Sequence, residues 1–396
     1  MKSSVANRRS RVLILSTSLG MGGAEIQVVR LATELKARDW EVCAVCLVKP
    51  GPPPRAPVES NAESLACVRQ LEQEHIEVHS LDMKRGVPDV RALFRLRSLI
   101  RSFRPDVVHC HMYHANILGR MTRLFCRVPA LICTAHNIKE TSTLGGPTWH
   151  KELFYRVTDS LADQTTIICN AGFDRYVQVG AVPRRKLRMI PNGVDTDVFS
   201  RSEQLRQVCR GTLRIGSEFA WLAVGRLVRQ KDYPTLFRAI ELLRHKQFIV
   251  LIAGAGYLER ELRTECASRG LTAQVRFCGQ RKDILDLYSA ADAFVMSSEW
   301  EGMPVALLEA ASMGLPAVVT NVGGNPDVVV DGVSGYVVPD RAPTELAGAM
   351  QKLMEAAPEQ LREMSRAARH HCYEHYRIGA VVDKWLSLYN DYVPVA

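Results

Sequence analysis

The sequence predicts an α/β fold made of two doubly wound domains, each with a parallel sheet. Short apolar runs alternate with longer segments of helical periodicity along most of the chain, which is typical of strand and helix units arranged around parallel sheets. The 396 residues exceed what one hydrophobic core organises and therefore indicate two domains. Apolar residues make up 47% of the chain and charged residues 23%, a composition that allows two buried cores.

The predicted strands form two sets of five. Those of the first domain cover residues 12–15, 42–48, 107–110, 131–134 and 165–169. Those of the second cover residues 221–224, 248–253, 275–278, 293–296 and 317–320. Pro191-Asn192-Gly193 forms a turn, after which periodicity is lost to about residue 211. We therefore predict a first domain at 1–195, a second at 196–375, and a C-terminal helix at 376–396 that packs back on the first.

Composition excludes several classes of protein and site. No apolar run approaches the ~18 residues of a membrane span. The net charge of +9 comes without aromatic and basic interleaving or a recognition motif, so nucleic-acid binding is not expected. Eleven cysteines, many inside apolar segments, indicate reduced core thiols in a cytosolic protein. Cys43-x-x-Cys46 has no second pair at zinc spacing, so no metal site is expected.

Two carboxylates eight positions apart flank a turn that enters an apolar helix. Glu301 precedes a Gly-Met-Pro-Val turn, and Glu309 lies about a turn and a half inside the helix. Gly302 lets the backbone approach a ligand closely, and Pro304 suits the first helical turn. The helix N-terminus offers free amides to a diphosphate, and carboxylates accept hydrogen bonds from sugar hydroxyls. The pattern indicates a site for a sugar nucleotide.

This spacing resembles the E-x7-E motif of the retaining glycosyltransferases of family GT4, which have the GT-B fold. Further elements in the same order extend the resemblance from about residue 11 to residue 340: Gly20 to Glu25, Ile190 to Asp195, Gly225-Arg226 with Lys231, Gly314 to Thr320, Gly323-Gly324, and Asp331 to Gly335. The resemblance implies two Rossmann-like domains that face each other across a cleft. It also implies an enzyme that transfers a sugar from a nucleoside diphosphate.

The resemblance assigns roles to residues of the second domain. Arg226 and Lys231 would neutralise the diphosphate leaving group, although both have the alternative of being solvated surface cations. Glu309 would hold the ribose hydroxyls. Glu301 would hold hydroxyls of the donor sugar or stabilise positive charge on its ring in the transition state. Four residues would contribute mainly backbone position to donor binding: Gly302, Met303, Pro304 and Val305.

In the first domain, a glycine loop and a histidine carry the resemblance. Gly22 and Gly23 follow a strand and precede a helix, so their loop would reach donor phosphates and acceptor; the alternative is a plain tight turn. His136 follows an apolar strand and matches the family's active-site histidine, which contacts donor sugar or acceptor; the alternative is a structural histidine. The neighbouring histidines are expected to be hydrogen-bonded packing residues rather than metal ligands: His109, His111 and His114.

Two departures from the family pattern stand out. After Gly323-Gly324 the family has a glutamate three residues on, whereas this chain has Asn325-Pro326-Asp327, and the shorter carboxylate puts that contact in doubt. Gly254-Ala255-Gly256 resembles the start of a dinucleotide-binding loop, but Glu259 replaces its last glycine, and negative charge there opposes a pyrophosphate.

The resemblance implies a retaining glycosyltransferase with no cofactor, and a UDP-sugar donor is the expectation from what is frequent in the family. The acceptor hydroxyl would attack on the face from which the phosphate leaves, since no carboxylate is evident as a nucleophile on the opposite face. Metal-dependent enzymes would show an Asp-x-Asp pair of carboxylates in a sugar-binding context, whereas Asp195-x-Asp197 lies in the interdomain turn. Cationic side chains would therefore replace a divalent metal. Alternatives are an epimerase or phosphorylase of the same fold, or a non-catalytic protein that binds nucleotide sugars.

Charge is divided unequally between the halves of the chain. Residues 1–190 carry 28 Lys and Arg against 17 Asp and Glu, so the excess positive charge lies in the first domain. One predicted helix there has apolar residues on one arc and Phe94 among arginines on the other; these are Arg91, Arg95, Arg97, Arg101 and Arg104. Such a face suits docking on an anionic membrane, with a solvated helix face as the alternative. We therefore expect a cytoplasmic, peripheral enzyme with a lipid-linked or envelope-glycan acceptor, as in polysaccharide or lipopolysaccharide biosynthesis.

Overall fold

The structure is a computed structural model that describes residues 8–20, 22–51, 65–84, 89–138 and 149–393. The chain forms two compact units. Unit 1 comprises Met1–Gly193 and Ile378–Ala396, and unit 2 comprises Val194–Arg377. The C-terminal helix thus belongs to unit 1. Nine of the eleven cysteines are buried.

Unit 1 is built on a seven-stranded parallel sheet in the order β3-β2-β1-β4-β5-β6-β7. Its strands are β1 (Arg11–Ser16), β2 (Glu41–Val48), β3 (Glu77–Met83), β4 (Val107–His111), β5 (Ala130–Ala135), β6 (Gln164–Ile167) and β7 (Leu187–Met189). The described helices are α1 (Gly23–Ala37), α2 (Ala66–Gln73), α3 (Val90–Phe103), α4 (Tyr113–Thr122), α5 (Trp149–Thr158), α6 (Asn170–Gln178) and, from the chain end, Ile378–Asn390.

Helices cover both faces of this sheet. On one face, β1 and β2 pack against α1 and the C-terminal helix, whose Trp385 and Tyr389 are buried. On the other face, the strands pack against α3 and α4 through residues such as Leu96 and Ala115. Since both faces are covered, the central strands are apolar throughout.

Unit 2 has a six-stranded parallel sheet in the order β10-β9-β8-β11-β12-β13. Its strands are β8 (Phe219–Val224), β9 (Phe248–Ala253), β10 (Val275–Gly279), β11 (Ala293–Met296), β12 (Ala317–Thr320) and β13 (Gly335–Val338). Its helices are α7 (Glu203–Thr212), α8 (Tyr233–Leu242), α9 (Glu259–Ser268), α10 (Ile284–Ala290), α11 (Val305–Ser312), α12 (Asn325–Val328), α13 (Pro343–Glu355) and α14 (Pro358–Tyr376). The C-terminal helix of unit 1 is α15.

The ten predicted strands are present, and the prediction of two doubly wound α/β domains is confirmed. The prediction missed β3, β7 and β13 for three different reasons. β3 lies at the sheet edge and carries polar residues, β7 has only three residues, and β13 begins with a glycine. None of the three presents the continuous apolar run that marks a buried parallel strand.

The strand order fixes where each unit can place a site. β1 lies between β2 and β4, and β8 lies between β9 and β11, so the chain direction across each sheet reverses at these two strands. Ligands of doubly wound folds bind beyond the carboxyl ends of the strands at such a reversal. The segments that follow β8 and β11 therefore form the favoured site of unit 2.

Candidate functional site

Lys231 lies in the loop that follows β8, at the end of a 3-10 turn formed by Arg229–Lys231. Two hydrogen bonds tie this turn to the segment that follows β11. The amide of Glu299 donates to the carbonyl of Gln230 at 2.9 Å, and Ser297 Oγ donates to the carbonyl of Lys231 at 3.0 Å. The two loops at the strand reversal are therefore held as one structure.

The central feature of unit 2 is an ion pair between Lys231 and Glu301. Lys231 Nζ lies 2.6 Å from Glu301 Oε1, and the side chains are 14% and 6% exposed. Ser298 Oγ donates to the same carboxylate oxygen at 2.7 Å, and Gln230 Nε2 donates to Oε2 at 3.4 Å. Sequence reasoning assigned Lys231 and Glu301 separate partners, whereas in this structure each is the partner of the other.

Glycines hold these loops at distances that a side chain would prevent. A Cβ on Gly254 would lie 2.0 Å from the carbonyl oxygen of Gly225, and a Cβ on Gly256 would lie 2.2 Å from that of Leu227. The Gly-x-Gly at 254–256 therefore packs against the loop after β8. Its function in the fold explains the glycines without a dinucleotide.

Gly323 and Gly324 support the acidic loop from the other side. Gly323 has a φ of +60°, and its Cβ would lie 2.4 Å from the carbonyl oxygen of Glu301. The amide of Gly324 donates to the carbonyl of Gly302 at 2.6 Å. The side-chain Nδ2 of Asn325, at the departure from the family pattern, donates to the carbonyl of Thr320 at 3.0 Å. A side chain at Gly323 would therefore displace the backbone of Glu301, and the backbone amide of Gly324 holds the next residue.

Helix α11 begins at Val305, one residue later than the sequence predicts. Pro304 is the N-cap residue, and its carbonyl accepts a hydrogen bond from the amide of Leu307 at 3.1 Å. Proline suits this boundary because it has no amide to satisfy. Met303, Pro304 and Val305 are buried, and their contribution of backbone position to donor binding stays a prediction.

Glu309 lies on α11 and is 8% exposed. The hydroxyl of Tyr288, from α10, lies 3.1 Å from Glu309 Oε2 and 3.0 Å from the carbonyl oxygen of Ala306. This tyrosine orients the carboxylate. Sequence reasoning missed Tyr288 because it lies on a helix with no motif, and only the three-dimensional structure brings it to Glu309.

Arg226 differs from Lys231, its predicted partner in gripping a diphosphate. Its side chain is exposed, and it forms no ion pair within the described part of the chain. The backbone of Arg226 is nevertheless fixed, because its carbonyl accepts from the amide of Val228 at 2.9 Å. Arg226 is therefore an uncompensated positive charge on an ordered loop.

In unit 1, Gly22 is the N-cap residue of α1 and Gly23 is its first residue. A Cβ on Gly22 would lie 2.2 Å from Glu25 Oε2, and Glu25 Oε1 accepts a hydrogen bond from Ser18 Oγ at 2.6 Å. The loop after β1 therefore packs against the carboxylate of Glu25, which lies on α1. A side chain at Gly22 would displace that carboxylate.

His136 follows β5 and forms a buried cluster with two histidines of β4. His136 Nε2 lies 3.0 Å from His111 Nδ1, and the rings of His111 and His109 are 4.0 Å apart. His109 contacts Tyr389 OH through Nδ1 at 2.7 Å and Thr134 Oγ1 through Nε2 at 2.6 Å. The three imidazoles thus belong to one network at the carboxyl ends of adjacent strands.

Burial keeps this cluster uncharged. It lowers the pKa of His136 to about 4. Burial and the neighbouring His136 lower the pKa of His109 to about 3. Burial, followed by the two other histidines, lowers the pKa of His111 well below its ordinary value. All three rings are therefore neutral at pH 7, and each carries one N–H.

Two groups of residues have the chemistry of metal ligands. Asp195 of the Asp-x-Asp sequence accepts hydrogen bonds from the amides of Asp197 and Val198, each at 3.0 Å, so it serves as a turn cap. Within the described ranges, one group has donor atoms within 4.8 Å of one another: Cys43, Glu77 and His79. It lies towards the amino ends of β2 and β3, at the opposite end of the sheet from His136.

Sequence models of two protein families match the chain. The model described as Glycosyltransferase Family 4 matches residues 21–198, and the model described as Glycosyl transferases group 1 matches residues 212–371. A galactosyltransferase of Escherichia coli, UDP-Gal:alpha-D-GlcNAc-diphosphoundecaprenol alpha-1,3-galactosyltransferase, is 29% identical over 78% of this chain and 81% of its own. Glycogen synthase of Mycobacterium tuberculosis is 26% identical over 88% and 86%.

Solved structures show the same fold at low identity. The Anabaena protein HepE in complex with UDP aligns with a TM-score of 0.81 and 20% identity, over 96% of this chain and all of that one. WaaG, a glycosyltransferase involved in lipopolysaccharide biosynthesis, aligns with a TM-score of 0.70 and 16% identity over 97% of this chain and all of that one. Together, the models, the relatives and the fold establish that this chain belongs to the glycosyltransferases of family GT4 and has the GT-B fold.

Proposed function

We propose that this glycosyltransferase binds a UDP-sugar in unit 2 and transfers the sugar, with retained anomeric configuration, to a hydroxyl of a lipid-linked or envelope-glycan acceptor. The observation that carries the proposal is the largely buried pair of Lys231 and Glu301, of which Glu301 lies four residues before the start of α11, the helix that carries Glu309. It offers a cation for the diphosphate and two carboxylates for hydroxyls of one extended ligand.

The ion pair gives donor binding a definite chemistry. A diphosphate attracts Lys231 away from Glu301, which frees carboxylate oxygens to accept hydrogen bonds from the donor sugar. Arg226, exposed and without an ion pair in the described structure, adds a second cation, and the amides at the start of α11 add partial positive charge. Charge that develops on the leaving phosphate is thereby met by groups already in place.

Retention follows from attack on the same face as the departing phosphate. The acceptor hydroxyl forms the new bond to the anomeric carbon as the bond to the phosphate oxygen breaks, and its proton passes to that oxygen. Glu301 is not the nucleophile in this scheme, because its freed oxygens accept hydrogen bonds from the donor sugar and Ser298 still donates to Oε1. We propose that Glu301 stabilises the positive sugar ring and that His136 contacts the donor sugar or acceptor.

UDP and a lipid-linked acceptor are supported by relatives. The E. coli relative carries both UDP-Gal and a diphosphoundecaprenol-linked sugar in its name, and the structures of HepE contain UDP or UDP-glucose. Among the described residues, no helix has the length and apolarity needed to cross a membrane. We propose that docking on the membrane surface brings the enzyme to a lipid-linked acceptor.

Unit 1 has a layer of helices that suits such docking. Helix α3 packs against α4, and α4 against α5. On α3, Phe94 is 54% exposed, and Arg91 and Arg101 are exposed beside it. Arg95 donates to the carbonyl of Leu81, so it is partly structural. Among the arginines that the sequence predicts around Phe94, the exposed Arg91 and Arg101 support the proposed docking face.

Helix α5 adds an apolar face to the same layer. Its exposed apolar side chains occupy one arc of the helix: Trp149, Leu153, Phe154 and Val157. Trp149 is 64% exposed. Beside the end of α5, Arg156 and Arg185 line an open groove of ≈ 660 Å³. Apolar side chains bordered by cations suit an anionic bilayer, where each Lys or Arg near the surface contributes about 1 kcal/mol.

Transfer is tested with labelled UDP-sugars and a diphosphate-lipid acceptor bearing one sugar. We expect a new glycoside whose anomeric configuration, read by NMR coupling constants, matches the donor. Incubation with donor alone separates an epimerase from a transferase. A product of inverted configuration would overturn retention, and binding of UDP-sugar without transfer to any hydroxyl acceptor would overturn catalysis.

Docking is tested by sedimentation with vesicles containing anionic lipid. We expect salt-sensitive binding that falls in R91E/R101E and, separately, in W149S/F154S. The matched control is R214E/R260E, which reverses two exposed arginines of unit 2 and changes net charge equally. Equal loss in the control, or equal binding to neutral and anionic vesicles, would contradict the proposed docking face.

A further inference from the structure

The contact between His111 and His136 constrains how His136 meets a substrate. His111 ends β4 directly opposite Thr134 of β5, and His136 is two residues beyond Thr134. The residue after His111, Met112, has a φ of +71°, and its amide donates to the carbonyl of Thr134 at 3.0 Å. A positive φ is strained at a bulky residue and persists only where the surroundings fix the backbone.

Each ring uses one nitrogen for this contact and keeps the other free. His111 Nδ1 and His136 Nε2 are 3.0 Å apart. His111 Nε2 and His136 Nδ1 are buried and have no hydrogen-bond partner among the described residues. Both rings line a cavity of ≈ 20 Å³ in unit 1, with Thr134, Gln27 and Asn192.

The two tautomers are therefore linked. Both rings are neutral, so one must donate and the other accept. If His111 Nδ1–H donates, His136 carries its proton on Nδ1. If His136 Nε2–H donates, its Nδ1 is a bare acceptor and the free N–H lies on His111 Nε2. The protonated nitrogen is thus the same atom, Nδ1 or Nε2, in both rings.

Burial favours the first arrangement. A buried N–H without a partner is rarer than a buried acceptor without one, so the free N–H belongs on the ring that is closer to solvent. His136 is 7% exposed and His111 is 2% exposed. The first arrangement leaves the free N–H on His136 Nδ1, where a substrate oxygen can accept it once the atoms that cover this nitrogen have moved.

We propose that His111 is a positioning residue, which donates from Nδ1 to His136 Nε2 and so holds His136 as the Nδ1–H tautomer that donates a hydrogen bond to a substrate oxygen. This inference rests on the proposed role of His136 in substrate contact. His111 itself touches no reacting atom. It acts by setting the proton and the ring orientation of its neighbour, as partners of metal-bound histidines do.

The test compares H111N and H111L. The amide nitrogen of asparagine takes the place of Nδ1 and can donate, whereas leucine cannot. We expect imidazole ¹⁵N spectra to show His136 with its proton on Nδ1 in the wild type and in H111N, and a mixture of tautomers in H111L. We expect kcat/KM to fall by roughly 10–100-fold in H111L, by analogy with partners of metal-bound histidines, mainly through kcat, and to be rescued by H111N.

Three outcomes distinguish this inference from the proposed function. If the wild type carries its proton on His136 Nε2, or if H111L keeps the Nδ1–H tautomer, the positioning role is wrong. If H111N and H111L lose equal activity at equal thermal stability, the role is only structural and the inference fails. In the third outcome, H136A retains wild-type turnover while the His136 tautomers of the wild type, H111N and H111L are as expected. In that case the proposed contact of His136 with substrate is wrong, and the spectra still support His111 as the residue that sets the tautomer.

Discussion

Replacing Lys231 with methionine separates the stabilising effect of the ion pair from its effect on catalysis. Methionine keeps much of the side-chain volume and removes the charge. Because Lys231 and Glu301 are 14% and 6% exposed, K231M leaves a buried carboxylate without its cation. We therefore expect two separable losses, one in the free energy of unfolding of unit 2 and one in turnover.

The magnitudes follow from the contacts of Glu301. Breaking a buried pair from one side costs about 3–5 kcal/mol. Ser298 and Gln230 still donate to the carboxylate, so we expect a loss near the lower end, about 3 kcal/mol. Turnover should fall by about 10²–10³, as for a lost donor to a developing oxyanion, or about 2.7–4 kcal/mol. E301Q in the K231M background removes the uncompensated charge and should recover most of the stability without recovering turnover.

The assay is a double-mutant cycle over wild type, K231M, E301Q and K231M/E301Q. Chemical denaturation of each variant gives the coupling energy, and steady-state kinetics with a saturating UDP-sugar gives turnover. R260M, at an exposed arginine of unit 2, is the matched control. A coupling energy near zero would refute the ion pair as a stabilising contact, and wild-type turnover in folded K231M would refute its assignment to the leaving group.

Three further outcomes follow from the same structure. E301Q should bind UDP as tightly as the wild type or more tightly, because Lys231 loses its competitor, while turnover falls; weaker UDP binding by calorimetry would contradict the exchange of partners. Y288F removes one hydrogen bond to Glu309 and should raise KM for the donor by about 2–12-fold, for about 0.5–1.5 kcal/mol, with turnover unchanged; no change in KM would separate Tyr288 from the donor site. The free energy of unfolding should fall below pH 6.5, because His109 and His136 take up protons there in the unfolded chain, whereas burial lowers their pKa in the folded chain to about 3 and about 4. At pH 5 each histidine should lower the free energy of unfolding by about 2 kcal/mol. In denaturation experiments H109Q should reduce the loss by that amount.

Patterns of apolar residues were enough to predict most of the fold. The central strands of both sheets are buried on both faces, and such strands read as continuous apolar runs. Edge strands carry no such signal, because only one neighbour pairs with them and solvent tolerates their polar residues. β3 was missed for that reason, even though its pairing with β2 completes the sheet.

The sequence predicted residues of the candidate site only where they lie close together along the chain, on one loop and the helix that follows it. Glu301 and Glu309 lie on one loop and helix, so their spacing was informative. The pairing of Lys231 with Glu301 spans 70 positions, and the contact of Tyr288 with Glu309 depends on how α10 packs beside α11. Periodicity reveals which face of an element is buried, but not which side chain of another element it meets.

The most direct test of the account is ligand stabilisation of the wild type and of K231M and E309Q by a panel of nucleoside diphosphate sugars. A donor present at 100 times its dissociation constant should raise the free energy of unfolding by about 2.7 kcal/mol. We predict that one or more UDP-sugars do so in the wild type and that both variants lose most of the effect at the same concentration. Stabilisation of equal size in all three proteins, or none by any nucleotide sugar, would contradict a donor site built on Lys231 and Glu309.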